Sequence, residues 1–239
     1  MSSEKADVAQ IACVLFKKYF LDNTEGVNPS DYAAMQEAVL QSLDFKNQNM
    51  VLLKRKGDFI SKVFTLQSKN EQLLSLLVEW AQSEDIQSKQ FAMYIFEKQT
   101  ECHLSDEQLM TYKDSFYTIF EKSMQDQNVS VRVAALRATA SFLLSIENKQ
   151  ILEQFKPLTQ VLLDTTVDAL KSDQFLGEQA MEMLVSLAQT HPQFLSHQIT
   201  QVVKIVSDIV KMKDFEEGTR SQAAEVVLTL AEEVPATVR

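Results

Sequence analysis

The chain has 239 residues, of which 45% are hydrophobic and 23% charged, a mixture typical of a folded protein with a substantial core. Its 23 Lys and Arg residues against 33 Asp and Glu residues give a formal net charge of −10. This balance disfavours nucleic acid as a ligand, because phosphate groups are bound mainly by basic side chains.

Six amphipathic helices with a small residue at the centre of the apolar stripe are predicted, in chain order, at roughly residues 4–20, 49–66, 84–101, 128–146, 174–190 and 218–234. The small central residues are Ala12, Gly57, Ala92, Ala135, Ala180 and Ala223. They are separated by 45, 35, 43, 45 and 43 positions, so the chain repeats one structural unit, with one short copy.

A second amphipathic helix is predicted between consecutive members of this set, which makes each unit a helical hairpin. Pro29 suits the first turn of one such helix, and Ser105 with Gln108 forms a capping-box pattern at the start of another. Pro157 interrupts a further one and predicts a kink or a new helix start, because proline removes a backbone hydrogen bond.

A hairpin that repeats at about 40 to 47 residues has the period of HEAT and armadillo repeats, longer than the roughly 34 of tetratricopeptide repeats. Each hairpin in such a stack packs against the next, and a small residue lets neighbouring helices approach closely. We therefore predict an all-α fold, a right-handed α-solenoid of five to six HEAT-repeat hairpins that forms one domain over residues 1–239. Leu in place of Ala135 should overpack the contact and cost about 1 to 3 kcal/mol.

The sequence shows no signal for secretion or membrane insertion. The first ten residues, MSSEKADVAQ, lack the apolar core of a signal peptide, and the longest uncharged stretch, 183–203, is interrupted by polar residues and proline. Two cysteines without disulfide spacing suit a reducing compartment, so we expect the cytosol or the nucleus.

Residues for catalysis form no recognisable pattern. None of His103, His191 and His197 begins a His-Glu pair or an H-E-x-x-H motif, and the four glycines stand alone. Cys102 adjoins His103, but neighbouring residues on a helix do not face each other. We predict a non-enzymatic protein that uses no cofactor and no metal.

A candidate partner-binding surface is predicted on the fifth and sixth small-centred helices. The positions expected to point inward are Ala180, Leu184 and Leu187 on the fifth helix, and Ala223, Val227 and Leu230 on the sixth. The positions expected to be exposed are Glu178, Glu182 and Gln189 on the fifth helix, and Ser221, Glu225 and Glu232 on the sixth. If the repeats stack in register, the acids form a ridge that suits a basic segment, and a merely solvated surface is the alternative.

Two other sets of residues have more than one interpretation. The run Lys54, Arg55 and Lys56 is basic in an otherwise acidic chain. It could contact an acidic patch on a partner, or it could have no partner. An aromatic stripe is expected mainly in the core, with a pocket for a partner as the alternative, and Trp80 has the same two interpretations. The stripe consists of Tyr112, Phe116, Ile119 and Phe120.

Several runs resemble consecutive repeats near the amino terminus of the karyopherin-β, or importin-β, superfamily, with the nearest likeness to its importin-five branch. These runs are SVRVAALRATASFLL, AMEMLVSLAQTHPQFL and SQAAEVVLTLAEE. The opening VAQIACVLFKKYF is similar to an early helix of that family, although Lys17 and Lys18 stand where arginines are more usual. Because members are several times longer, we interpret the chain as an amino-terminal fragment that lacks its first hairpin half.

The resemblance implies a nuclear transport receptor that shuttles between cytoplasm and nucleus, and we expect it to be a monomer. It implies Ran-GTP and basic protein cargo on the concave face, and phenylalanine-glycine nucleoporins on the outer face. The partner in the pocket interpretation of the aromatic stripe and of Trp80 would then be a nucleoporin. One alternative is a non-catalytic HEAT-repeat scaffold that assembles other proteins. Another is an enzyme on a HEAT-like stack, such as a base-excision glycosylase, which the acidic charge disfavours.

Overall fold

The computed structural model describes residues 3–16, 18, 29–65, 71–101, 106–212 and 215–234. Regular structure in these ranges is helical throughout, which confirms the all-α prediction. The chain divides into two compact units, Met1–His103 and Leu104–Arg239.

The described residues of the first unit form five helices. Their bounds are α1 Ser3–Phe16, α2 Pro29–Gln41, α3 Met50–Thr65, α4 Glu71–Ala81 and α5 Ile86–Glu101. Helix α3 packs against α1, α2 and α5, and α4 packs against α5. The pairs α2/α3 and α4/α5 are therefore hairpins whose second helices, α3 and α5, stack on each other.

The second unit repeats the hairpin arrangement. Its helices are α6 Asp106–Met124, α7 Val129–Leu144, α8 Lys149–Phe155, α9 Thr159–Ser172, α10 Gln174–Thr190, α11 Pro192–Ser196, α12 Ile199–Lys211 and α13 Glu217–Glu233. The hairpins are α6/α7, α9/α10 and α12/α13, and the second helices α7, α10 and α13 pack in a row.

Local sequence chemistry sets several helix boundaries. The Asn128 side chain accepts a hydrogen bond from the Ser130 N–H at 2.9 Å and caps α7. Pro29 begins α2, as predicted. Pro157 lies in a short 3-10 turn after which α9 starts afresh, which confirms the predicted interruption. The predicted capping box at Ser105 lies outside the described residues.

The predicted small central residues are confirmed in five of the six helices. In each of these five the small residue is buried, and a Cβ added to Gly57 of α3 would lie 3.0 Å from side-chain atoms of Phe91 and Ile95 on α5. The four buried alanines, each 0% exposed, are Ala92, Ala135, Ala180 and Ala223. A small residue thus allows the close approach of stacked second helices.

The prediction for α1 is wrong. Ala12 is exposed, and its predicted stripe partners Val8 and Leu15 are 63% and 47% exposed. Helix α1 packs on α3 and has a half-buried side that includes Cys13. Since apolar residues occur all around this helix, the spacing alone does not determine which side is buried.

Aromatic side chains form much of the core. In the second unit Phe142 lies 5.4 Å from Phe116 and 5.0 Å from Phe155, between ring centroids, so the predicted stripe contributes to the core. In the first unit Trp80 is half-buried and packs 5.8 Å from Phe45 and 5.4 Å from Phe91. These contacts favour the core interpretation of both sets.

Candidate functional site

An open groove of about 560 Å³ runs between α10 and α13. Its lining residues are Phe175, Glu178, Gln179 and Glu182 from α10, and Gly218, Thr219, Ser221, Gln222 and Glu225 from α13. Three of these side chains are carboxylates and none is basic. We call this feature the α10/α13 groove.

The polar residues of α10 and α13 lie in the groove because the apolar side of each helix is buried against its neighbours. Ala180, Leu184 and Leu187 of α10 are at most 3% exposed, as predicted. On α13 the prediction is wrong at Val227, which is half-buried, while Val226 is 2% exposed. The buried positions of α13 follow the spacing four, three, four and are Thr219, Ala223, Val226 and Leu230.

Most of the predicted partner-binding residues come together at this groove. Four of them line it, namely Glu178, Glu182, Ser221 and Glu225. Glu182, Ser221 and Glu225 are exposed as expected, whereas Glu178 is half-buried and accepts a hydrogen bond from Gln174 Nε2 at 3.0 Å. Four of the six predicted residues thus lie at one groove, and their role in binding a partner remains a prediction.

The other two predicted residues lie beside or beyond the groove. Gln189 is exposed, and its Nε2 donates to Glu225 Oε1 at 2.9 Å, which links α10 to α13. Glu232 is exposed on α13 and is not a lining residue. The ridge of four acids on a concave face remains a prediction.

Sequence reasoning missed three residues of this surface. Phe175 lines the groove and is 66% exposed, and Leu228 is 63% exposed on α13 between Glu225 and Glu232. Both share a helical face with the acids, at spacings of three and four, so the same wheel could have found them. Thr219 also lines the groove, but no sequence pattern signals its role.

The surface of α3 and α5 has a different chemistry. Arg55 Nη1 lies 3.6 Å from Asp58 Oδ2, and the Tyr94 hydroxyl donates to Asp58 Oδ1. The Nζ atoms of Lys54 and Lys98 lie 5.3 and 5.8 Å from the Tyr94 ring centroid, within cation–π range. Burial, followed by the hydrogen bond to Asp58, raises the pKa of Tyr94. We call these five residues the α3/α5 cationic cluster.

The predicted basic run is wrong at one position. Lys56 is 7% exposed, and its Nζ donates to the Ser42 carbonyl oxygen at 2.5 Å and to Gln48 Oε1 at 3.0 Å. Burial lowers the pKa of Lys56. Lys56 therefore joins α3 to the end of the preceding hairpin helix, and only Lys54 and Arg55 of the run are exposed.

Two further cavities occur within the units. One of about 370 Å³ lies between the first helices α9 and α12, with the apolar residues Val167, Ile205 and Met212 and the charged residues Asp168 and Lys204 in its lining. The other, of about 280 Å³, lies between α1, α2 and α3 and is almost entirely apolar. Burial raises the pKa of the Cys13 thiol, which lines this second cavity.

The described ranges contain neither a metal-binding cluster nor a membrane-spanning helix. No cluster of three or more His, Cys, Asp or Glu side chains could hold a metal ion there. No helix among those residues is long and apolar enough to cross a membrane. Cys102 and His103 lie outside the described part of the chain.

Solved structures define the class of fold. The chain superposes on a crystal structure of a Kap121p mutant with a TM-score of 0.81 at 20% identity, covering 99% of this chain and 23% of that one. Against Kap121p bound to RanGTP the TM-score is 0.78 at 20% identity, covering 96% and 21%. For Kap121p bound to Nup53p it is 0.79 at 19% identity, covering 96% and 22%. This fold is the all-α HEAT-repeat solenoid of the karyopherins, and the chain spans less than a quarter of these proteins.

The sequence also matches a family described as IPO5-like, TPR repeats, over residues 48–205, which is more than half of the chain. The chain belongs to this family, and the predicted resemblance to the importin-five branch of the karyopherin-β superfamily is confirmed. The description names tetratricopeptide repeats, yet the small residues of α7, α10 and α13 are 45 and 43 positions apart, the longer HEAT period. No curated protein matched the chain.

Proposed function

We propose that the chain is part of a non-catalytic nuclear transport receptor that binds Ran-GTP and basic protein cargo. The observation that carries this proposal is its membership of the IPO5-like family over residues 48–205. The fold likeness to Kap121p, one of whose structures is a complex with RanGTP, adds support for Ran as a partner. Shuttling between cytoplasm and nucleus would follow from this role.

The α10/α13 groove supports basic cargo as the second ligand. Glu178, Glu182 and Glu225 line it, and within the described residues no Lys or Arg side chain pairs with them. Two of these carboxylates accept a hydrogen bond from an amide, which leaves further acceptor sites on each. A Lys or Arg side chain placed here would form charge-assisted hydrogen bonds, which are stronger than neutral ones.

Ran-GTP and cargo would oppose each other in such a receptor. A stack in which each repeat contacts mainly its neighbours changes curvature readily. If two ligands favour different curvatures, each weakens the other's binding by the same factor. No chemical step on the cargo is needed.

The cavity between α9 and α12 supports phenylalanine-glycine nucleoporins as a third class of partner. It lies between first helices, and its lining includes the apolar residues Val167, Ile205, Ile209 and Met212 beside charged ones. A phenylalanine side chain buries about 150 to 250 Å² when it enters such a cavity. We propose this contact, together with a monomeric state, as part of the same transport function.

Nucleotide-dependent binding tests the proposed function. Calorimetry should show tighter binding of the chain to the GTP form of Ran than to the GDP form. A nucleic-acid duplex serves as the negative control, since an acidic chain should not bind its negatively charged phosphate backbone. Equal affinity for both nucleotide forms would favour a HEAT-repeat scaffold, and no binding to either would remove Ran as a partner of this chain.

A further inference from the structure

We propose that the α3/α5 cationic cluster is a docking site for an acidic segment of a partner protein. The cluster combines three cations with one carboxylate around a tyrosine, in a chain whose net charge is −10. Its five residues are Lys54, Arg55, Asp58, Tyr94 and Lys98. Neither Ran nor basic cargo enters this inference, which therefore goes beyond the proposed function.

Two contacts with α3 fix the side chain of Tyr94, which lies on α5. A Cβ added to Gly57 would lie 3.1 Å from Tyr94 Cδ1, so the ring lies against the surface of α3 at this glycine. The Tyr94 hydroxyl donates a hydrogen bond to Asp58 Oδ1, also on α3. A ring held in this way is a preorganised support, and groups that it positions lose less conformational freedom when a ligand binds.

Two lysine side chains lie over this ring, one from each helix. Lys54 Nζ of α3 is 5.3 Å from the ring centroid and Lys98 Nζ of α5 is 5.8 Å from it, both within cation–π range. Lys54 is exposed and Lys98 is half-buried. Since like charges repel each other, an anion that approaches both ammonium groups is favoured.

Arg55 adds a third cation next to the carboxylate that binds the Tyr94 hydroxyl. Its Nη1 lies 3.6 Å from Asp58 Oδ2, which is within ion-pair distance but too long for a hydrogen bond. The Arg55 side chain is 51% exposed and that of Asp58 is 13% exposed, so the cation faces solvent and the carboxylate is recessed. A carboxylate from a partner can therefore reach the Arg55 donors and accept two parallel hydrogen bonds from them.

An acidic protein segment fits this cluster better than a nucleic acid does. The three cations occupy a small area on two helices, and the net charge of −10 repels a long polyanion along its length. Because the Debye length is about 8 Å at physiological salt, a short segment responds mainly to the charges nearest to it. Asp and Glu side chains a few residues apart in one segment can then each pair with a cation.

The first experiment titrates two fluorescent peptides of equal length, one rich in glutamate and one with glutamine at every glutamate position. The wild-type chain should bind the glutamate peptide at about 0.1 M salt and lose most of this binding at about 1 M salt, because the contacts are charged and exposed. The glutamine peptide should bind weakly at both salt concentrations. A single-stranded DNA with the same number of charges is titrated in parallel and should bind less tightly than the glutamate peptide.

Two triple variants locate the binding. Changing Lys54, Arg55 and Lys98 to Gln should weaken the glutamate peptide by about three- to hundredfold, the range expected for three exposed ion pairs. The matched control removes three charges at exposed positions of the second unit and should change the affinity less than about twofold. It replaces with Gln the residues Lys122, Lys149 and Lys211.

Asp58→Asn should act in the opposite direction. Asn keeps an oxygen that can accept the hydrogen bond from the Tyr94 hydroxyl, and it removes the carboxylate that competes with a ligand for Arg55. The affinity for the glutamate peptide should rise about two- to fivefold. Asp208→Asn makes the same change of charge at an exposed position of α12 and should leave the affinity unchanged. Because Asn is nearly the same size as Asp, this comparison decides the question even if the triple variant is unstable.

Four results would overturn the proposed docking site. Equal affinity of the wild type for both peptides would show that the cluster is a solvated surface. Equal losses in the two triple variants, or no gain in Asp58→Asn, would show that the glutamate peptide binds elsewhere. Tighter binding of the DNA, lost in the cluster variant, would assign the cluster to nucleic acid. Each of these results leaves Ran and basic cargo as separate questions, because none of the ligands used is Ran or a basic peptide.

Discussion

The helix pairs α3/α5 and α10/α13 have similar interiors and opposite surfaces. Both pairs stack second helices of successive hairpins, and both place small residues at the contact. Gly57 and Ala92 serve the first pair, and Ala180 and Ala223 serve the second. The exposed face of α3/α5 carries the cationic cluster, whereas that of α10/α13 carries an acidic groove.

The charges on the two surfaces also differ in how far they are compensated. In the α3/α5 cationic cluster Asp58 lies between Arg55 and the Tyr94 hydroxyl, so opposite charges meet within the protein. In the α10/α13 groove, Glu178 and Glu225 have only neutral amide partners among the described residues. One repeat geometry thus supports two surfaces of opposite charge, and the acidic one, whose carboxylates have no basic partner among the described residues, is the better candidate for a basic ligand.

The largest expected effect tests the shared interior. Ala135→Leu in α7, the neighbour of α10, should lower the free energy of unfolding by about 1 to 3 kcal/mol, because Leu overpacks a fully buried contact. Urea denaturation measures this loss. Ala34→Leu in α2 is the matched control, since Ala34 is exposed and its change should stay within about 0.5 kcal/mol. Equal losses for both variants would contradict the packing account.

Glycine-to-alanine substitutions should lower the free energy of unfolding by graded amounts that differ between α3 and α10. A Cβ on Gly177 of α10 would lie 2.6 Å from Leu170 Cδ2 and 2.8 Å from Leu170 Cα, so backbone must shift. On Gly57 the nearest atoms are side-chain atoms at 3.0 Å. We expect Gly177→Ala to cost about 2 kcal/mol and Gly57→Ala about 1 kcal/mol in thermal or urea denaturation.

Gly218 provides the control for this series. An added Cβ there would meet nothing within 4 Å, so Gly218→Ala should be neutral or stabilise α13 by less than about 1 kcal/mol. A reversed order, with Gly218→Ala the most harmful, would show that close approach of helices does not explain these positions.

A weaker effect should appear with pH at the end of α10. Burial lowers the pKa of His191 below its ordinary value of about 6.5, despite a favourable hydrogen bond to the Leu143 backbone. The folded protein then binds fewer protons than the unfolded chain, so this contribution to stability is complete above about pH 6.5 and falls as pH drops through that value. Melting temperatures of the wild type and of His191→Gln, compared across this range, measure it. Identical pH profiles for the two proteins would show that His191 does not contribute to the pH dependence of stability.

Periodicity predicted the repeat well because apolar spacing directly reports which side of a helix is buried. It located α7, α10 and α13 within two residues at each end and identified Ala135, Ala180 and Ala223 as buried small residues. It was wrong for α1, where apolar residues occur on all sides, and at Val227, where the buried stripe shifts by one position. Spacing determines a face only when the opposite face is clearly polar.

The candidate site was only partly predictable. The wheel identified the acidic faces of α10 and α13, because burial of Ala180 and Ala223 requires the opposite positions to be exposed. It gave no indication that Lys56 is buried against Ser42 and Gln48, since that contact depends on the preceding hairpin. The Thr219 hydroxyl is buried without a hydrogen-bond partner among the described residues, and this too depends on atoms that are distant in sequence.

Binding of basic cargo at the α10/α13 groove is tested by changing Glu178, Glu182, Glu225 and Glu232 together to Gln, which preserves helix propensity and removes four charges. The matched control changes the exposed residues Glu37, Glu79, Glu84 and Glu147 to Gln, which alters net charge equally outside the groove. A fluorescent Lys/Arg-rich peptide is titrated at about 0.1 M and about 1 M salt, where the Debye length is about 10 Å and about 3 Å.

We expect the wild type and the control variant to bind the peptide tightly at low salt and weakly at high salt. The groove variant should bind weakly at both, with a much smaller salt dependence and unchanged helical content by circular dichroism. Identical affinities and salt slopes for the groove variant and the wild type would contradict the central claim that the α10/α13 groove binds basic cargo.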